Sequence, residues 1–197
     1  MWRRMKTTVQ ETQGLLSPAL RNIRLGKIAA QIEAGAVVLD LGCGAGYLAE
    51  FLPSGCCYIG IDRVLPPRID RFARFIQLDL NAPGAIHAAR SWLRVKPRYL
   101  TCAAVVEHLE TPLELIQSFV DLIEPGGFLV GTTAHPRGER LHASLARMGL
   151  CSSDAANEHH RFLDYDGIRQ LAECSGGRLV VYHQFLMRLN QLFVVQY

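Results

Sequence analysis

The sequence predicts an α/β fold: one mostly parallel sheet, helices on both faces, and an antiparallel hairpin at its C-terminal end. Three observations lead there. Val37-Val38-Leu39-Asp40-Leu41 is a short apolar run rich in β-branched residues, the pattern of a strand buried on both faces. Similar runs at 57–62, 74–80, 98–106 and 128–133 alternate with helical stretches, as parallel strands with crossover helices do. Two apolar segments, 178–186 and 190–197, close the chain across a short turn.

The chain has 197 residues, enough for one domain with a complete sheet. Its apolar content of 49% against 20% charged residues excludes a disordered chain. A net charge of +3 gives no nucleic-acid signal by itself. The apolar runs are too short to span a bilayer. The basic start Met1-Trp2-Arg3-Arg4-Met5-Lys6 is followed by polar residues, so no secretory signal is expected. The six cysteines form no C-x-x-C pair and read as reduced thiols of a cytoplasmic protein.

Residues 1–16 are expected to be an arm that either frays or folds Trp2, Leu15 and Leu16 over a substrate cavity. Ser17-Pro18 starts a helix. Leu20, Ile23, Leu25, Ile28 and Ile32 give its apolar stripe, with Arg21, Arg24 and Lys27 on the polar side. After the first strand comes Gly42-Cys43-Gly44-Ala45-Gly46, then a helical pattern at Leu48, Phe51 and Leu52. Strand, glycine turn and helix open many nucleotide-binding domains. The second strand ends in Asp62, 22 residues after Asp40, where such folds place a carboxylate for ribose hydroxyls. A helix at 82–93 is expected to lay Trp92 on the sheet. Thr111-Pro112 starts the next helix, and Glu124-Pro125-Gly126-Gly127 ends it. Segment 134–164 is the least regular, with a helix expected at 140–148, and is the natural place for a substrate lid. A last helix at 166–174 closes on Gly176-Gly177.

The glycine spacing decides which nucleotide. A dinucleotide fingerprint is G-x-G-x-x-G. Here Gly42, Gly44 and Gly46 make G-x-G-x-G, and Tyr47 stands where the third dinucleotide glycine would fall. Asp40, at the strand end, would repel a pyrophosphate and attract an amino or sulfonium group. The stretch D-L-G-C-G-A-G resembles motif I of the class I S-adenosylmethionine (SAM)-dependent methyltransferases. Glu107-His108-Leu109-x-x-Pro112 resembles the ubiquinone-biosynthesis O-methyltransferases and their small-molecule relatives, and the P-G-G turn before an apolar strand is similar to theirs. The resemblance covers about residues 20–197. It implies a Rossmann-like seven-stranded sheet whose seventh strand is inserted antiparallel, with SAM as cofactor and S-adenosylhomocysteine as product. It further implies that Asp40, Gly42, Cys43, Gly44 and Gly46 hold the amino-acid half of SAM, Asp62 the ribose, and Asp79 the adenine amino group. Leu78 or Leu80 would touch the ring, and Ala104 joins the cofactor-binding set. Lys96-Pro97-Arg98 replaces an aspartate common at the start of the fourth strand, a change expected at the strand edge.

Methyl transfer from a sulfonium needs the acceptor held in line behind the methyl carbon. A hydroxyl acceptor also benefits from a base near neutrality, which suits histidine. His108, His135 and His159 (with His160) fall at the expected mouth and are the candidate catalytic residues. Each also has a structural alternative, such as a bond from His108 to Glu107 or to the backbone. The expected acceptor is a small molecule or a lipid- or sugar-linked group, methylated at oxygen. The metal-dependent RNA 2′-O-methyltransferases carry E-x-x-E-H. Here Ala104 replaces the first acid, the charge is weak and no RNA-binding extension is visible, so no metal is expected. A non-catalytic partner subunit is the third reading, and the intact glycines and acids speak against it. A nicotinamide-dependent dehydrogenase fails on Tyr47 and on the hairpin.

Overall fold

The computed structural model describes residues 17–136 and 163–197. The elements are α1 (Ser17–Ala29), β1 (Val37–Leu41), β2 (Cys57–Asp62), β3 (Arg74–Gln77), α2 (Ala85–Trp92), β4 (Tyr99–Ala103), α3 (Pro112–Val120), β5 (Phe128–Ala134), α4 (Tyr165–Cys174), β6 (Arg178–Phe185) and β7 (Asn190–Gln196). The strands form one sheet in the order β3-β2-β1-β4-β5-β7-β6. Strands β1 to β5 pair in parallel. β7 lies antiparallel between β5 and β6. The expected mostly parallel sheet with its antiparallel hairpin is therefore present. Strand order reverses between β1 and β4, and ligands of open α/β sheets bind beyond the carboxyl ends of strands at such a point.

Alternation along the strands sorts side chains to two faces. Leu39 and Leu41 of β1 join Ile59, Ile61 and Leu100 under α2, α3 and α4, which contribute Ala89, Ile116, Phe119, Ile168 and Leu171. Val38 faces the other way, with Tyr58, Tyr99 and Val130, under Leu25 and Ile28 of α1 and under Phe72 from the β2–β3 connection. Each fully buried side chain of this kind contributes about 1.5–3 kcal/mol. Among the described residues, helices thus cover both faces, α2, α3 and α4 on one and α1 on the other. None of the described helices is long and apolar enough to cross a membrane.

Four sequence expectations need correction. The stretch after the glycine turn is a single 3-10 turn, Tyr47–Glu50, rather than an α-helix. Pro53 and the positive-φ Gly55 follow too soon for a longer helix. In α1, Ile23 is 42% exposed. At 100° per residue it sits about 200° from Leu25, off the buried stripe. Arg21 lies one turn from Leu25, and its guanidinium stacks over Tyr47 at 3.7 Å rather than facing water. β3 stops at Gln77, which leaves Asp79 in the following turn. Trp92 is half-buried against the core as expected, and Arg74 lies over its ring.

The arm at 1–16, the helix expected at 140–148 and residues 137–162 of the expected lid lie outside the described residues. So do His159 and His160.

Candidate cofactor and acceptor site

The glycine turn leaves β1 with φ of +63° at Gly42, +53° at Gly44 and +74° at Gly46, a region that side chains with a Cβ adopt at a cost. Their surroundings differ. A Cβ on Gly42 would stand 2.6 Å from Val105, and one on Gly46 would stand 2.5 Å from the Phe72 ring. Gly44 opens onto empty space. Only the middle glycine leaves room for a ligand; the outer two make room for the protein. Gly44→Ala should therefore cost about 1 kcal/mol of stability, from backbone strain. Gly46→Ala, which adds overpacking, should cost about 3 kcal/mol. Urea unfolding of both variants checks the contrast, and equal losses would contradict it.

Cys43 points its thiol into the core, 9% exposed, and burial pushes its pKa well up. Its part in a ligand site is confined to its backbone. Asp40 also departs from the expectation. Its neighbour in the register on β4 is Thr101. One carboxylate oxygen accepts from the Thr101 hydroxyl at 2.7 Å and the other from the Tyr58 hydroxyl at 2.6 Å. At 3% exposure it has no face open to a ligand. Burial raises its pKa from 3.8 to about 6, the two hydroxyl bonds oppose the rise, and the Asp62 charge adds to it. Asp40 is a buried anchor under the turn, both its oxygens held by protein hydroxyls.

Asp62 ends β2. It accepts the Gly44 N–H at 2.7 Å on one oxygen and the Val64 N–H at 2.9 Å on the other. A carboxylate has about four acceptor positions, so two remain for ligand hydroxyls. Asp79 is exposed, accepts the Asn81 N–H at 3.0 Å on one oxygen and leaves the other open. Leu80, given to the adenine ring by the sequence, packs into the core under α2 and α3 at 9% exposure. Half-buried Leu78 is the apolar side chain nearer the surface. Ala104 leaves β4 at φ +56°, its N–H bonded to the Thr132 carbonyl, and the kink sends Val105 over Gly42.

Three residues that sequence reasoning missed hold these loops. Phe72 fills the space that Gly46 and Gly60 leave and stacks on Tyr58 with ring centroids 4.9 Å apart. Asn81 donates to the His108 carbonyl at 3.2 Å and accepts the Glu110 N–H at 3.1 Å, fastening the exit of β3 to the segment after β4. Arg71 donates to the Ala45 carbonyl, pairs with Glu50 and lies over the Tyr47 ring. An N-x-x…E-H spacing carries no signal, and an aromatic wedge looks like any core residue. Neither was readable.

The histidines separate by exposure. His108 is exposed in the turn after β4, while its neighbour Glu107 is buried and accepts the Thr133 hydroxyl at 3.1 Å. His135 follows β5, is 7% exposed, and donates its backbone N–H to the Leu189 carbonyl. It lines a hollow of about 380 Å³ with Pro136, Asp164, Tyr165, Asp166 and Gln184. Among the described residues no group of three His, Cys, Asp or Glu side chains stands close enough to hold a metal.

The open face of Gly44, the free acceptor positions of Asp62 and the open oxygen of Asp79 follow one another across the carboxyl ends of β1, β2 and the exit of β3. That row fits a ligand with a polar tail, a diol and a base. A family model for a methyltransferase domain matches residues 14–180. The ubiquinone biosynthesis O-methyltransferase of Xanthomonas campestris pv. campestris is 32% identical over 122 residues, 58% of this chain and 50% of that protein. The protein of the same name from Xylella fastidiosa is 32% identical, over 58% and 49%. The chain spans about half the length of these curated relatives. Two solved structures share the fold. The 1,6-didemethyltoxoflavin-N1-methyltransferase of Burkholderia thailandensis, holding 1,6-didemethyltoxoflavin and S-adenosylhomocysteine, has a TM-score of 0.65 at 16% identity over 90% of this chain and 78% of that one. The N-methyltransferase NodS of Bradyrhizobium japonicum, with S-adenosylhomocysteine, has a TM-score of 0.58 at 20% identity over 93% and 88%. With its glycine turn, its sheet order and a family match over most of its length, the chain belongs to the class I SAM-dependent methyltransferase family, whose cofactor is S-adenosyl-L-methionine.

Proposed function

We propose that this protein methylates an oxygen of a small-molecule or lipid- or sugar-linked acceptor. The observation that carries the reading is the Gly44–Asp62 bond, which sets an open glycine beside a carboxylate with free acceptor positions. The names of the curated relatives favour oxygen as the acceptor atom. When bound, the cofactor supplies a methyl group on a sulfonium, already a good leaving group. What is left to the protein is orientation and proton removal. In this reading Asp62 holds the ribose hydroxyls and Asp79 the adenine amino group. The backbone at Gly44 receives the amino-acid end, and Asp40 stiffens the turn from below.

His108 is the proposed base. It stands in the turn that Asn81 ties to the exit of β3, beside the cofactor row. His135 lies against the hollow at the exit of β5, the proposed acceptor side. The five described cysteines are unpaired, in keeping with action in the cytoplasm. Calorimetric titration with SAM and S-adenosylhomocysteine, with and without a chelator, tests the reading. Micromolar binding indifferent to chelator is expected. No binding to folded protein would overturn it, and chelator-sensitive binding would replace it with a metal-dependent one. With an acceptor found by screening phenolic and lipid-linked hydroxyl compounds, His108→Ala should lower kcat by about 100-fold or more and leave SAM affinity within about twofold. Equal loss of both would make His108 structural.

A further inference from the structure

The hollow at the exit of β5 is backed by a relay of hydrogen bonds whose direction fixes what it offers a ligand. Gln191, fully buried on β7, donates its amide NH₂ to the Ala134 and Leu163 carbonyls at 3.3 and 2.7 Å. Its amide oxygen is left to accept, and it does so from the Tyr182 hydroxyl at 2.7 Å. A hydroxyl has one proton to donate, so Tyr182 in turn accepts, from the Gln184 NH₂ at 2.9 Å. The amide oxygen of Gln184 is the free end of the relay, on a side chain that lines the hollow.

Two carboxylates line the same hollow. Asp164 caps α4 with one oxygen, which accepts the Gly167 N–H at 3.0 Å, and its other oxygen is open. Asp166 is exposed and makes no bond or ion pair among the described residues. Between them Tyr165 is 46% exposed and packs on Tyr182 with ring centroids 4.9 Å apart. No lysine or arginine lines the hollow among the described residues. The start of α4 contributes about half a positive elementary charge, less than the two carboxylates, and a protonated His135 would still leave the balance negative. The wall therefore offers acceptors and negative charge. A carboxylate or phosphate is repelled there. An ammonium is matched three times over: its N–H groups are all donors, its charge is opposite, and an aromatic ring attracts it.

Strand order sets the reach. β5 lies two positions from β1, with β4 between them, on the order of 10 Å at the usual strand spacing. The row of Gly44 and Asp62 begins at the exit of β1. An acceptor anchored in the hollow must present its reacting group about that far from its anchor, and a para-hydroxyphenyl ring with a short amine chain is of that length. We propose that the methyl acceptor is a hydroxylated amine. Its ammonium is held by Asp164, Asp166 and the Gln184 amide oxygen beside Tyr165, and its hydroxyl points to the cofactor row. The inference names a substrate class for the proposed methyl transfer and rests on that reading for calling the occupant an acceptor; the charge preference of the hollow stands apart from it.

Three phenols of one shape test it: tyramine, whose side chain ends in an ammonium, para-ethylphenol, which is uncharged, and para-hydroxyphenylpropionate, which ends in a carboxylate. Each is titrated calorimetrically into the full chain in the presence of S-adenosylhomocysteine. Tyramine should bind about tenfold or more tighter than para-ethylphenol, the gain from a charge-assisted bond, and the propionate should bind weakest. Asp166→Asn should lower tyramine affinity about tenfold and leave para-ethylphenol within about twofold. Asp166→Glu should restore the preference. Gln184→Met, which removes the amide oxygen, should lower tyramine affinity about threefold or more. All three variants should keep the S-adenosylhomocysteine affinity of the parent, which shows that they fold. Equal affinity for tyramine and para-ethylphenol, a preference for the propionate, or no binding of tyramine overturns the proposal. So does Asp166→Asn with parental selectivity, or with the same loss for every probe, since Asp166 would then be only structural. A parent that fails to bind S-adenosylhomocysteine removes the methyltransferase reading, while the order of the three probes still decides what the hollow prefers.

Discussion

Asp62→Ala lowers the affinity for SAM and S-adenosylhomocysteine by about 100-fold, the loss expected when two hydroxyl bonds to a carboxylate disappear. The variant loses twice. It gives up the acceptor positions proposed for the ribose, and it frees the Gly44 N–H that Asp62 holds at 2.7 Å, so the turn loses its preorganised shape. The fold should survive, because Asp62 is only partly buried and ends a strand whose ladder is made by backbone. Circular dichroism and urea unfolding should change by about 1 kcal/mol or less. Asp62→Asn separates the two losses. Its amide oxygen still accepts the Gly44 N–H, while its NH₂ replaces the acceptor of the Val64 N–H and the charge is lost, so it should fall between parent and alanine in calorimetry. Parent-like affinity in Asp62→Ala would remove Asp62 from the ribose.

Stability declines as pH rises through the range set by Asp40. The unfolded carboxyl ionises near 3.8, whereas burial delays ionisation in the folded chain to about 6. Below both values neither state is ionised and there is no penalty. Between them the unfolded chain releases its proton first, so folding is progressively disfavoured, and above about 6 the loss levels off at about 3 kcal/mol. Asp40→Asn should flatten this slope. Its amide oxygen accepts from one of the Tyr58 and Thr101 hydroxyls, and its NH₂ donates to the other. Urea unfolding at about pH 4 and about pH 7 checks it; a variant with the parental slope would clear Asp40 of responsibility. The cofactor carries the same linkage. A sulfonium above the turn favours ionised Asp40, so SAM should lose affinity below about pH 6 more than S-adenosylhomocysteine, whose sulfur is uncharged.

The sheet was legible because the parallel strands are short, mostly apolar runs with their own punctuation, and the final hairpin is where two such runs meet across a tight turn. The glycine turn was legible as a motif but not as a division of labour. Nothing in G-x-G-x-G says that Gly42 and Gly46 yield to Val105 and Phe72 while Gly44 faces outward. The burial of Asp40 was not legible because its register was invisible. Only pairing β1 with β2 and β4 brings Tyr58 and Thr101 to its two oxygens. The missing helix after the turn was a failure of period against length, since Leu48, Phe51 and Leu52 fit a helix that Pro53 forbids.

Phe72 ties distant positions into one heritable unit. Its ring occupies the space a methyl group would need at both Gly46 and Gly60, and it stacks on Tyr58, which in turn holds Asp40. A lineage that acquires alanine at 46 or 60 while keeping phenylalanine at 72 pays with a displaced ring. One that first shrinks residue 72 opens a void beneath the loop. Neither single step is neutral, so substitutions at 46, 60 and 72 should enter together or not at all. The pairing of small and aromatic residues at these sites is then a barcode by which diverged copies of this domain sort into compatible and incompatible parents for recombination.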